Sequence, residues 1–239
     1  MEHVAGQASQ VGDLLCVPVP HHALDTMNPL RGNHCHAIEK LSSSLELYER
    51  VGSPAGMAYS LARKSVLHTL TGDKGLGWQI VQDGFVYAMQ AGLGDHCLRR
   101  LYAVGIWNRL EAGDLEQAGK LIESTEKLLA KSDACAACIL ELYPWFSYYF
   151  LQTRQIEKAC GCYKAVSRLS GKTGNPIGKT IAAMIKSNLY ITEMNWKQAE
   201  EYSQKSHQML EEAVPATAQS PIAYFLKRMV EQQGELQQV

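Results

Sequence analysis

Small residues recur in this chain at a nearly constant interval. Ala37, Gly77, Ala118, Ala159 and Ala199 are separated by 40, 41, 41 and 40 residues. The surroundings repeat as well. Glu111-Ala112-Gly113-Asp114-Leu115-Glu116-Gln117-Ala118 reads as a helix end, a tight turn and the next helix start. Gly113 can take the left-handed conformation that stops a helix. Asp114 can cap the helix that follows, with Gln117 three residues on as the other half of a capping box. Gln155-Ile156-Glu157-Lys158-Ala159 and Asn195-Trp196-Lys197-Gln198-Ala199 repeat the pattern. Asp73-Lys74-Gly75-Leu76-Gly77 and Asn33-His34-Cys35-His36-Ala37 are weaker copies.

A second series of helix starts falls between these. Ser53-Pro54, Asn175-Pro176 and Ser220-Pro221 each place a capping residue before a proline at the first helical position, and Asp95 and Asp133 are candidate caps. Two interleaved series with one shared period mean a repeated helical hairpin. The spacing predicts helices over 35–51, 54–70, 75–90, 95–111, 115–131, 134–152, 156–170, 176–193, 197–213 and 221–234. Those starting at 54, 95, 134, 176 and 221 are termed A helices and the others B helices. Aligned on their small residue, the B helices place Leu47, Tyr87, Leu128, Leu169 and Met209 in register ten positions on. Val81, Ile122 and Tyr163 share the position four on. Residues 77, 118, 159 and 199 are expected where hairpins approach most closely. No segment alternates with period two for the length of a strand, so the fold class is all-α.

A helical hairpin with a small residue early in its second helix, stacked at a fixed period, resembles the tetratricopeptide repeat family. That family has a usual period of about 34 residues. The chain departs from it in period, and it lacks the family's Trp-x-x-Leu-Gly opening and closing Pro. Longer variants occur in the superhelical domains of maltose-activator-type regulators and in kinesin-light-chain-like scaffolds. HEAT and armadillo repeats have periods of about 40 to 47, but the Asp-Leu-Glu-Gln-Ala box is closer to the tetratricopeptide pattern. The resemblance covers residues 35–234. It implies a right-handed α-α superhelix (a solenoid) of about five hairpins acting as a protein–protein interaction scaffold. The alternative it implies is a sensor, regulatory or oligomerisation segment of a larger signalling ATPase, nucleotide cyclase or transcription activator.

Residues 1–32 show no sustained period, and Gly6, Gly12, Pro18, Pro20, Pro29 and Gly32 interrupt any helix, so this stretch reads as an irregular or disordered leader. The repeat domain is expected over 33–239, starting on a B helix and finishing on an A helix. Ile222, Ala223, Phe225, Leu226 and Val230 then have no following B helix to cover them. A segment of a longer repeat protein, or end-to-end self-association, would account for that. A formal net charge of -1 gives no overall attraction to nucleic acid or an anionic membrane. No apolar run reaches the length of a membrane span, and no secretory signal opens the chain. Seven cysteines lie mostly within helical patterns, which reads as reduced thiols in a cytoplasmic setting.

Several constellations are weighed for chemistry. Cys135-Ala-Ala-Cys138 has the spacing of a zinc half-site or a redox pair, and Cys160-Gly-Cys162 could supply a second half. The first pair opens an A helix and the second follows the turn at its far end, roughly 20 Å away at 1.5 Å per residue. A tetrahedral site with bonds of about 2.3 Å cannot span that. A redox pair would ordinarily follow a strand, so these cysteines read as buried structural thiols. His34-Cys35-His36, with His21 and His22 upstream, has no matching second cluster. Ser170-Gly-Lys-Thr-Gly-Asn-Pro-Ile-Gly178-Lys179-Thr180 nearly spells a phosphate loop, but it follows a helix and lacks the first glycine. The expectation is no catalytic site, cofactor or metal.

One asymmetry remains. The A helices carry Arg63, Lys64, Arg99, Arg100, Arg109, Lys179, Lys186, Lys227 and Arg228 against Glu111, Glu141, Glu193 and Glu231. In the tetratricopeptide arrangement the A helices line the concave groove. The resemblance therefore implies an electropositive groove for an acidic or C-terminal peptide. Arg63, Lys64, Arg99, Arg100, Arg109 and Lys186 would be its cations, and Asn108 and Asn188 its backbone-binding amides.

Overall fold

The computed structural model describes residues 34–91, 95–131 and 135–213. Every regular element among them is a helix: α1 (His34–Arg50), α2 (Pro54–Leu70), α3 (Lys74–Gln90), α4 (His96–Glu111), α5 (Leu115–Lys131), α6 (Ala136–Gln152), α7 (Ile156–Thr173), α8 (Pro176–Thr192) and α9 (Trp196–Ala213). The predicted leader and the predicted helix over 221–234 lie outside the described residues. α2, α4, α6 and α8 are the A helices; α1, α3, α5, α7 and α9 are the B helices.

The turns repeat as the spacing predicts. After each A helix the chain passes through one left-handed residue: Gly72, Gly113, Arg154 and Met194, at φ 93°, 75°, 58° and 56°. The next amide then bonds back five residues in three of the four turns. Asp114 N–H donates to the Arg109 carbonyl (2.9 Å), Gln155 to Phe150 (2.7 Å) and Asn195 to Tyr190 (2.9 Å). This ties off carbonyls that the helix end leaves open. The carboxylates of Asp73 and Asp114 accept the amides of Leu76 (3.1 Å) and Gln117 (3.0 Å). Asn195 Oδ1 accepts the Gln198 amide (3.4 Å), whereas Gln155 makes no side-chain cap. Since the Asp114 amide is engaged with Arg109, the reciprocal half of the predicted capping box is not used. Ahead of α2 and α8, Ser53 and Asn175 accept the amides of Gly56 (3.3 Å) and Gly178 (3.2 Å), with Pro54 and Pro176 at the first helical positions.

Burial fixes the register. Ala118, Ala159 and Ala199 have no exposed surface, and Gly77 is buried. Four positions on, Leu41, Val81 and Ile122 are buried, while Tyr163 is half-buried. Seven on, a row that the sequence reading missed holds Ser44, Gly84, Thr125, Val166 and Ser206, all buried. Leu47, Tyr87, Leu128, Leu169 and Met209, expected in register ten positions on, are only half-buried. The innermost side chain falls one position later, at Tyr48, Ala88, Ser170 and Leu210. Offsets of 0, 4, 7 and 11 follow the 3.6-residue turn along one face, and an offset of 10 drifts off it.

The described helices divide into two compact units between residues 133 and 134. The division falls between whole hairpins. In the first unit α2 packs on α3 and α4, α1 packs on α2, α3 on α4, and α4 on α5. Ala58 and Ala62 of α2, Ala88 of α3, and Cys97 and Leu101 of α4 form one core cluster. In the second unit α8 packs on α9, α7 and α6, and α6 packs on α7. Each unit thus has A helices in contact with each other and B helices beside them. Gly84 illustrates why its row is small: a Cβ there would lie 2.6 Å from Leu101 Cδ2. Pro144 sits inside α6 and removes one helical hydrogen bond, yet the helix continues because Leu140, Leu142, Phe146 and Phe150 are buried around it.

Candidate interaction surface

Within the described A helices there are seven basic residues (Arg63, Lys64, Arg99, Arg100, Arg109, Lys179 and Lys186) against two acidic ones, Glu111 and Glu141. The described B helices carry twelve of each sign, so the excess belongs to the A series. Most of it lies in the first unit, on α2 and α4.

Ala58 and Ala62 of α2 face Cys97 and Leu101 of α4 in the core. The adjoining stripe of α2 holds Tyr59 and, one turn on, Arg63; that of α4 holds His96 and Arg100. The two stripes meet. Tyr59 and His96 make an edge-to-face contact with ring centroids 6.1 Å apart, and the Arg100 guanidinium lies 5.3 Å from the Tyr59 ring centroid. Tyr59, Arg63, His96 and Arg100 are all half-buried. An aromatic face beneath a guanidinium holds the charge in place. Lys64 is half-buried on the neighbouring stripe of α2; burial lowers the pKa of His68, one turn on, with Lys64 adding to the shift and Asp73 opposing it.

The remaining predicted residues are used differently. Asn108 is wholly buried, and its Nδ2 donates to Thr69 Oγ1 (2.8 Å) and to the Lys74 carbonyl (3.0 Å). Thr69 Oγ1 in turn donates to the Ser65 carbonyl (2.9 Å), and Ser65 Oγ donates to the Gly77 carbonyl (2.7 Å). Arg109 donates Nε to Asn108 Oδ1 (2.9 Å) and Nη2 to the Lys74 carbonyl (3.2 Å). Its guanidinium lies 4.7 Å from the Trp78 centroid and 3.8 Å from Asp114. Burial lowers the Arg109 pKa and Asp114 opposes the shift. Lys74 Nζ donates to the Glu111 carbonyl. The end of α4 therefore clamps the α2–α3 turn, and that commitment takes Asn108 out of the set that could meet a peptide. Arg99 is 5 % exposed, 3.8 Å from Asp95, and does not line a surface.

In the second unit Lys186 Nζ lies 4.3 Å from the Tyr190 centroid and 5.4 Å from that of Tyr163 on α7. Tyr190 packs on Tyr202 of α9 at 5.5 Å. Burial raises the Tyr202 pKa, with the Tyr190 and Tyr163 hydroxyls adding to the shift and Lys186 opposing it. Lys186 thus leans towards a B helix. Asn188 is half-buried on α8.

The other constellations are placed plainly. Ser170 to Thr173 form the last turn of α7, Gly174 is left-handed at φ 66°, and Gly178 to Thr180 lie in the first turns of α8. The cap and proline explain this stretch. Cys160 and Cys162 lie in the first turns of α7, across the hairpin turn from the end of α6, while Cys135 precedes α6 and Cys138 is in its first turn. One expectation needs correction: Cys138 and Cys162 are buried, but Cys135 is exposed and Cys160 half-buried. Cys135 is the cap residue, outside the first helical turn, where packing does not cover it. The side chains of His34, Cys35 and His36 lie outside the described residues.

The described residues form an all-α fold of helical hairpins whose B helices start every 40 or 41 residues. No family model matches the chain, and no curated protein does.

Proposed function

We propose that the chain is a protein-interaction scaffold. Its hairpins continue one another as a right-handed tetratricopeptide-like superhelix, and its A helices receive an acidic peptide or an acidic surface of a partner protein. In this reading it is a binding module and not an enzyme. The observation that carries this reading is the half-buried Tyr59–His96–Arg100 surface, with Arg63 beside it, on A helices with a marked basic excess. Cations held over an aromatic ring and partly shielded from water bind carboxylates more strongly than freely solvated lysines do.

A fluorescent Glu/Asp-rich peptide titrated into the full chain tests the proposal. Affinity should fall as salt rises, because exposed charges are screened beyond about 8–10 Å at physiological ionic strength. Arg63→Glu combined with Arg100→Glu should weaken binding about tenfold, the sum of two contacts of about 0.5–1 kcal/mol each. Lys186→Glu, on the other unit and against a B helix, should change it little. Binding that ignores both salt and the double reversal would overturn the proposal.

A further inference from the structure

We propose that Cys135 and Cys138 form a redox-active dithiol, a site of reversible oxidation by a low-molecular-weight disulfide. The two sulfurs lie 3.2 Å apart, and the Cys138 amide donates to Cys135 Sγ at 3.4 Å. A disulfide requires about 2.05 Å between sulfurs, so closing the bond needs only a small side-chain movement across one helical turn. The exposures divide the roles. Cys135 is exposed and can meet a reagent, while Cys138 is 1 % exposed and is screened from one. Cys135 also caps the N-terminus of α6. A helix N-terminus favours the thiolate, which is the attacking form. No strand is needed for this arrangement, because the helix start alone brings the sulfurs together.

The reaction balances as thiol–disulfide exchange. The Cys135 thiolate attacks one sulfur of the external disulfide; that S–S bond breaks and the first thiolate leaves, taking up a proton. The Cys138 thiol then loses its proton and attacks Cys135 Sγ in the mixed disulfide. The second thiolate leaves and is protonated. Two thiols are oxidised to one internal disulfide, and the external disulfide is reduced to two thiols.

Sequence makes the test direct. Cleavage after Lys131 and Arg154 releases residues 132–154, in which Cys135 and Cys138 are the two cysteines. Reduced native full-length chain is exposed to glutathione disulfide, quenched by alkylation and mapped by mass spectrometry. The wild type should give this peptide two hydrogens lighter and unalkylated. Cys138→Ser should accumulate glutathione on Cys135, and Cys135→Ser should leave Cys138 unmodified until the chain is denatured. A wild-type peptide that remains a dithiol, or that stops as the mixed disulfide, overturns the proposal. Equal reactivity of the two single variants does so as well.

Discussion

Arg154 and Met194 hold the left-handed backbone at φ 58° and 56°, in turns where the preceding hairpins have Gly72 and Gly113. An L side chain with a Cβ is strained there, and glycine is not. Arg154→Gly and Met194→Gly should each stabilise the fold by about 0.5–1 kcal/mol, after allowing for the added freedom of glycine in the unfolded chain. Gly113→Arg should destabilise it by a similar amount. Urea midpoints of the three variants check both signs, and a loss of stability in both glycine variants would contradict the turn geometry. At this scale the sequence is informative wherever the signal is local. Asp114, Ser53-Pro54 and Asn175-Pro176 announce their caps through chemistry confined to three or four residues. Ser65 and Ser187 do not, although each donates at 2.7 Å to the carbonyl of the small residue twelve positions on, Gly77 and Ala199. Their partners belong to the following helix, so the bond becomes visible only once the hairpin closes. The regular offset of twelve from the small-residue series is the signal that could have found them.

Between elements, the joint of α4 with the α2–α3 turn rests on Asn108, Arg109 and Thr69. A Cβ on Gly77 would lie 2.7 Å from Thr69 Oγ1 and 2.8 Å from Asn108 Nδ2, so that turn is closed around polar atoms with no room to spare. Asn108→Ala would remove the amide donor from the buried Thr69 hydroxyl and from the partly buried Lys74 carbonyl, which keeps only Arg109 Nη2. A loss of about 1–3 kcal/mol is expected. Thr69→Val removes the other end of the contact, and the double variant should lose less than the sum of the two single losses. Additive thermal-unfolding losses would show that the clamp does not act as a unit. The sequence showed Asn108 and Arg109 only as polar residues on an A helix, and from there a groove position was the natural reading. Whether a polar residue on a helix faces a groove or a neighbouring turn depends on the packing angle of two helices. No local pattern encodes that angle. Arg63 and Arg100, by contrast, stayed at a surface because Ala58, Ala62, Cys97 and Leu101 occupy the inward stripe beside them.

Across the whole molecule, the period of 40 to 41 residues organises everything else. It sets the turns with a left-handed residue, the buried rows at offsets 0, 4, 7 and 11, and the A-helix stripe on which the basic surface lies. If the small residues mark where helices approach most closely, enlarging them must be costly and enlarging their solvent-facing neighbours must not. Ala118 and Ala159 are wholly buried, whereas Glu116 and Glu157, two residues earlier, are exposed. The direct measurement is the thermal unfolding midpoint of Ala118→Trp and Ala159→Trp beside Glu116→Trp and Glu157→Trp. The repeat predicts that each alanine variant loses about 1–3 kcal/mol or more by overpacking, with both glutamate variants within about 0.5 kcal/mol of the parent. Midpoints unchanged in both alanine variants would contradict the register, and with it the hairpin repeat that positions the rest.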